Sequence, residues 1–320
     1  MNTHADSSHH LPLPLDLTIR AGLELTYEIS AITPMLLLVK PRFDSWQQIT
    51  QEQLLFTPNL ASVEHEDVHG NIAHRVNLPP GRITIRHDCF VAVPSIAEDV
   101  YCPEDAVPVE YLQESLLRYT LPSRYCDSDK LLDFAYQQFG NVPHGLTRVR
   151  AICDWVHYNI EYRFGSGSPT ISASEVLANG FGVCRDFAHL AIALCRTFNI
   201  PARYVTGYVP DVGYQDPGTP MDFHAYFQAW LGGRWQTFDA RFNVPRIGRI
   251  KIACGLDAVD GAFSTVFGAA NLVNFNVWAY QIDPRQVRLG DPIDMSKRLD
   301  GTPRVNIPYA PEVTPLIAGK

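Results

Sequence analysis

The chain has 320 residues, a length that suggests about two domains. Hydrophobic residues make up 46% and charged residues 19%, which allows a large core and argues against bulk disorder. The net charge is −8, from 26 Lys plus Arg against 34 Asp plus Glu, and no basic cluster occurs, so a phosphate-backbone partner is disfavoured. No apolar run approaches the roughly 20 residues that cross a bilayer. The opening MNTHADSSHH is polar and lacks the basic-then-apolar pattern of a secretory signal, and the expectation is a cytoplasmic protein with no membrane partner.

Residues 1–16 are polar and then proline-rich, and are expected to be disordered. From 17 to about 102 the chain alternates apolar and polar residues in short runs broken by Pro or Gly: TIRAGLELTYEI, PMLLLVKPR, SVEHEDVHGNIAHRVNLP and GRITIRHDCFVAV. The third carries a turn signal at His69-Gly70-Asn71. Repeated short strands of this kind predict a β-sandwich-like domain. His65, His69, His74 and His87 lie on these strands at spacings that suit no metal cage, so surface or structural roles are expected. Residues 103–127 connect, with one short helix. Helices are predicted over 128–139, capped by Asp127 or Ser128, over 145–161 and over 172–180. His157, between apolar positions of the second, reads as structural.

The seven cysteines, 89, 102, 126, 153, 184, 195 and 254, are odd in number and contain no CxxC. A disulfide framework or a zinc site is therefore not expected, and neither is a cofactor. Cys153, Cys195 and Cys254 fall on apolar faces, Cys254 on that of Ile250 and Ile252, where a thiol behaves as a small hydrophobe. Cys184 differs. It opens the segment GVCRDFAHLAIALCRTF, residues 182–198, in which Phe187, Leu190, Ala191, Leu194 and Phe198 form a helical stripe closed by Asn199 and Pro201. Cys184 is thus in the first turn and on the inward side. Unpaired amides and a partial positive charge at a helix N-terminus favour thiolate, the nucleophilic form.

Strands follow. ARYVTGYV spans 202–209, and a Pro- and Gly-rich loop, 210–222, leads to HAYFQAWL and RWQTFDA, joined by Gly232-Gly233. That pair is a two-residue hairpin turn, so Leu231 faces Arg234 and paired positions sum to 465. His224 then pairs with position 241. Asp239 lies two before it on the same face, a diagonal neighbour about 7–8 Å away at the backbone and within side-chain reach. A carboxylate beside an imidazole fixes its tautomer. RIKIACG at 249–255 and LVNFNVWAYQI at 272–282 are expected to complete this sheet. Helices followed by antiparallel strands predict an α+β fold. With the helix packed on the hairpin, Cys184, His224 and Asp239 would be nucleophile, base and orienter for attack on an amide carbonyl through a thioester. The Cys184 amide would donate to the oxyanion.

Residues 145–283 resemble the transglutaminase-like superfamily, specifically its bacterial cysteine-protease branch. The resemblance rests on SASEVLANGFGVCRDFAHL, IPARYVTGYVP, FHAYFQAWLGGRWQTFDAR and IGRIKIACGLDAVDGAFSTVFG, in that order. The β-rich first hundred residues are similar to the domain that accompanies this core. The resemblance implies a papain-like core, placed at 106–285 after the N-terminal β domain at 17–105, while the prolines and charges of the last 35 residues mark 286–320 as an extended tail. It also implies catalytic roles for Cys184, His224 and Asp239, a helix-start or supporting role for Asp186, and a peptide or protein substrate. Leu256 stands where relatives tend to carry a basic residue. Hydrolysis and acyl transfer both remain open, as does a non-catalytic interaction protein on the same fold, and the 210–222 loop is the candidate cleft cover.

Overall fold

The computed structural model describes residues 14–98, 105–215 and 220–300. The N-terminal third forms β1 (Leu17–Ile29), β2 (Thr33–Leu37), β3 (Gln48–Thr57), β4 (Ser62–Glu66), β5 (Ile72–Leu78) and β6 (Gly81–Val93). A helical half follows, with α1 (Glu114–Leu117), α2 (Leu132–Phe139), α3 (Leu146–Asn159), β7 (Glu161–Tyr162), α4 (Ala173–Asn179), β8 (Phe181–Gly182) and α5 (Cys184–Thr197). The chain then gives β9 (Ala202–Tyr208), β10 (His224–Leu231), β11 (Arg234–Phe238), β12 (Ile250–Gly255), β13 (Ser264–Val266) and β14 (Ala270–Gln281).

Two four-stranded antiparallel sheets, ordered β14-β1-β6-β3 and β13-β2-β5-β4, face each other as a sandwich. Their inner faces share one core that includes Leu23, Leu25, Met35, Leu37, Val76 and Ile85. A third sheet, ordered β11-β10-β9-β12, is the middle layer of the molecule. On one side α5 packs on β9 and β10, burying Leu190, Leu194, Tyr204 and Phe227 with α2, α3 and α4. On the other, Tyr208, Ile250 and Ile252 meet Ile19, Ala21 and Val91 of the sandwich. The fold is the predicted α+β arrangement, a β-sandwich joined to a helical half packed on an antiparallel sheet.

The C-terminal strands depart from the sequence reading. β12 joins β9 as expected, but β14 pairs with β1 over Ile19↔Gln281 to Ile29↔Ala270 and so belongs to the sandwich. β13 likewise joins β2. The 106–285 core boundary therefore cuts through the sandwich. Alternation marks a segment as a strand but does not choose its partner, and the 13-residue β1 offered an open edge. The tail expected from 286 is also partly docked. Val287 is buried, Asp291 and Pro292 carbonyls accept from Arg20, and the Leu299 amide donates to Gln281 O at 2.9 Å. The first 13 residues and 301–320 lie outside the described residues, as do 216–219 of the loop expected to cover the cleft.

Candidate active site

The site begins at the start of α5. Asp186, the third residue of the helix, accepts from the Val183 amide at 2.9 Å, the supporting role expected of it. Gly182 makes room, since a Cβ there would meet Asp186 at 2.6 Å. The helix is buried almost all round, from Asp186 to Arg196, rather than along one stripe. Each fully buried Leu of this segment contributes about 1.5–3 kcal/mol, so the first turn is held firmly. Cys184 is half-buried and lines a cavity of about 720 Å³ together with His224. Its Sγ lies 4.0 Å from the Phe223 carbonyl oxygen and within reach of the Ala225 amide. The sulfur therefore sits over the stretch of β10 that begins with His224. No described residue accepts from the Cys184 amide.

The hairpin closes as the two glycines predict. Gly232 and Gly233 have φ of 55° and 82°, both positive as a type I′ turn requires, and Leu231 pairs with Arg234. The diagonal contact follows, with His224 Nε2 donating to Asp239 Oδ2 at 2.7 Å. The bond fixes the proton on Nε2 and leaves Nδ1 as the basic nitrogen. Asp239 Oδ1 accepts from the amides of Arg241 and Phe242 at 3.1 and 3.2 Å. Phe242 lies against the imidazole, ring centroids 4.8 Å apart.

Two residues were not anticipated. Arg249, just before β12, donates from Nη1 to Asp239 Oδ2 at 3.0 Å and from Nε to Glu98. Its guanidinium lies 4.3 Å over the Tyr226 ring. Asp239 thus holds His224 on one side and a buried Arg249–Glu98 pair on the other. The sequence held a signal in the single arginine opening a strand of otherwise buried residues, because an internal arginine needs a carboxylate. Glu98 lies too far away along the chain to be linked with it.

The electrostatics differ from a ready-made ion pair. Protein packed around the sulfur desolvates it and pushes the Cys184 thiol up to about 12, against the smaller pull of the Ala225 and Arg185 amides. Burial also pushes His224 below its ordinary value, outweighing the attraction of Asp239. Asp239 itself resists burial, and His224 and Arg249 hold it well below the usual carboxylate range. The resting site is therefore a neutral thiol, a neutral imidazole and an ionised carboxylate, where the helix start alone suggested a thiolate.

The cleft has walls from both halves. Tyr162, Phe164, Val183 and Phe242 line it from the core, Asn276 to Ala279 of β14 from the sandwich, and Ile293, Met295 and Arg298 from the C-terminal segment. Two of the other histidines have structural contacts. His157 Nδ1 bonds the Arg241 carbonyl at 3.1 Å, and His87 Nε2 bonds Glu52 at 2.9 Å.

The chain resembles known proteins. The profile of the transglutaminase-like superfamily matches residues 133–240, which contain Cys184, His224 and Asp239. The chain is similar to a crystal structure named "Putative Cysteine Protease from Cytophaga hutchinsonii", with 34% identity and a TM-score of 0.75 over 83% of this chain and 91% of the other. It is similar to an uncharacterized protein of Mycobacterium leprae, 24% identical over 69% of this chain and 81% of that one. A shorter likeness, 29% over 107 residues, links it to the human kyphoscoliosis peptidase, of which it spans 16%.

Proposed function

The chain belongs to the transglutaminase-like superfamily, and from that premise we propose that it is a cysteine-dependent peptidase or amidase working through Cys184, His224 and Asp239. The observation that carries the reading is the buried His224–Asp239 hydrogen bond beside a half-buried cysteine at a helix start.

In the proposed reaction a substrate amide enters the cleft with its carbonyl carbon against Sγ. His224 Nδ1 takes the thiol proton as the S–C bond forms, so the thiolate arises only with substrate in place. The oxyanion accepts from the Cys184 amide at the positive end of α5. The C–N bond then breaks, His224 returns its proton to the departing amine, and a thioester remains. Water attacks the thioester, giving its proton to His224. The acid leaves as the S–C bond breaks and the sulfur is reprotonated. A primary amine attacking in place of water gives acyl transfer by the same steps. Asp239, ionised throughout, supports the imidazolium that forms in each half-reaction.

The test is a screen of a mixed peptide library and denatured casein, with and without a primary amine donor, using wild type and Cys184→Ala in parallel. Cleavage or amine incorporation that disappears in Cys184→Ala supports the reading. Equal behaviour of the two proteins in both assays refutes it and leaves an interaction protein on the same fold.

A further inference from the structure

The sandwich contributes to the cleft through the end strand of a sheet. β14 pairs with β1 on one side, and no described strand pairs with it on the other. Four successive residues, Asn276, Val277, Trp278 and Ala279, line the cavity that holds Cys184 and His224. Successive side chains of a strand point to opposite faces, so a cavity touching four in a row meets the strand edge-on.

Hydrogen bonds near the end of the strand show which groups face outward. The Ile282 amide turns to Thr18 O on β1 at 2.9 Å. Gln281 turns the other way, its amide donating to Asp300 Oδ2 at 3.1 Å and its carbonyl accepting from the Leu299 amide at 2.9 Å. In an antiparallel ladder the outward groups recur every second residue. The amides and carbonyls of Ala279 and Val277 therefore face outward with those of Gln281, and no described residue bonds them. The chain's own Leu299 already engages this edge one step further along, so the edge accepts a main-chain partner. β14 carries neither proline nor a charged residue, the devices that usually blunt an exposed edge.

We propose that substrate binds as an extended peptide added to the free edge of β14, its main chain bonded to Val277 and Ala279 and thereby led past Cys184. The inference rests on the peptidase reading and names how that enzyme would hold its substrate. Main-chain pairing of this kind gives affinity with little dependence on sequence, and the pockets alongside select alternate side chains. Glu24 and Trp278, on one face of the sheet, and Val277, on the other, flank such a strand.

Two measurements test this. The first N-methylates, one at a time, the amides of a peptide cleaved in the screen. Methylation facing the edge should lower kcat/KM about fivefold at alternate positions, the cost of one hydrogen bond, with the positions between nearly unaffected. The second needs no turnover. Hydrogen exchange in Cys184→Ala is followed with tryptic casein peptides added. The amides of Val277 and Ala279 should slow at least tenfold, while those of Trp278 and Tyr280, already turned to β1, stay unchanged. Cleavage that depends on Cys184 but ignores N-methylation keeps the peptidase and overturns the edge. Slowed exchange without turnover supports the edge and removes the peptidase. Unchanged exchange at Val277 and Ala279 overturns the edge, as does protection already present in the free chain and lost on removing 301–320.

Discussion

Replacing Arg249 by Met tests how the candidate triad is held. The substitution keeps an unbranched apolar stem over Tyr226 and removes the charge. Asp239 Oδ2 then loses its 3.0 Å donor and keeps only the 2.7 Å bond from His224, while Glu98 is left buried without its cation. Removing one partner of a buried pair costs about 3–5 kcal/mol, because the other charge stays desolvated. Urea unfolding at pH 7 should show a loss in that range. The field of Arg249 is also one of the influences that depress His224. Without it the imidazole takes up a proton more readily, so the acid limb of kcat/KM should move to higher pH. Glu98→Gln is the control. Burial pushes the Glu98 carboxyl up more than Arg249 pulls it down, so a neutral isostere should cost below about 1 kcal/mol and leave the pH profile in place. A loss below about 1 kcal/mol in Arg249→Met with an unmoved acid limb would refute the argument.

Cys184→Ala and His224→Ala should each lower kcat about 10⁶-fold, Cys184→Ala with stability changed by less than about 1 kcal/mol, whereas Asp239→Asn should cost about 10⁴-fold in kcat, as measured by single-turnover kinetics on purified proteins. The pH dependence of kcat/KM should rise through a value below 6.5 and hold level to at least about pH 9. His224 must be neutral to act and is depressed by burial, and the thiol at about 12 does not titrate in that window. A bell centred on mild acid would instead report a resting ion pair. Gly207→Ala should lower stability by about 1–3 kcal/mol in thermal unfolding and reduce activity further, since its Cβ would meet Ile250 O at 1.9 Å and push away the strand that follows Arg249.

What the sequence disclosed was local. Two adjacent glycines fix the β10–β11 register, and the register by itself brings His224 and Asp239 together. The helical stripe around Cys184 located α5, although that helix is buried on every side and not on one. What stayed hidden depends on partners distant in the chain. Asp127, expected to cap the helix after it, instead accepts from the Ser174 amide at 3.0 Å and the Ser172 hydroxyl at 2.9 Å, at the start of α4. Alternation groups Cys254 with Ile250 and Ile252, but a bulge between Lys251 and Ala253 turns it to a separate cluster with Val205 and Tyr226. β14 carried a clear strand pattern and no indication that its partner lies some 250 positions earlier, as in Gln281↔Ile19.

The resting protonation of the site turns on which of two effects is larger. A helix N-terminus stabilises an adjacent anion by about 0.3–1 kcal/mol, and by about 2 in sheltered geometries, which is less than two pH units of thiol acidity. Burial moves an ionisable group by up to about 3–5 units in the opposite direction. Desolvation therefore wins at Cys184, and the same burial keeps His224 unprotonated although an ionised Asp239 is bonded to it. Such a pair needs no acidic thiol, since Nδ1 accepts the proton while the sulfur attacks. The cost of separating charge then falls in the transition state, where the α5 amides and Asp239 are positioned to stabilise it. On this argument iodoacetamide should modify free Cys184 slowly at pH 6 and faster as pH rises. Rapid selective labelling at pH 6 would show that the helix field prevails.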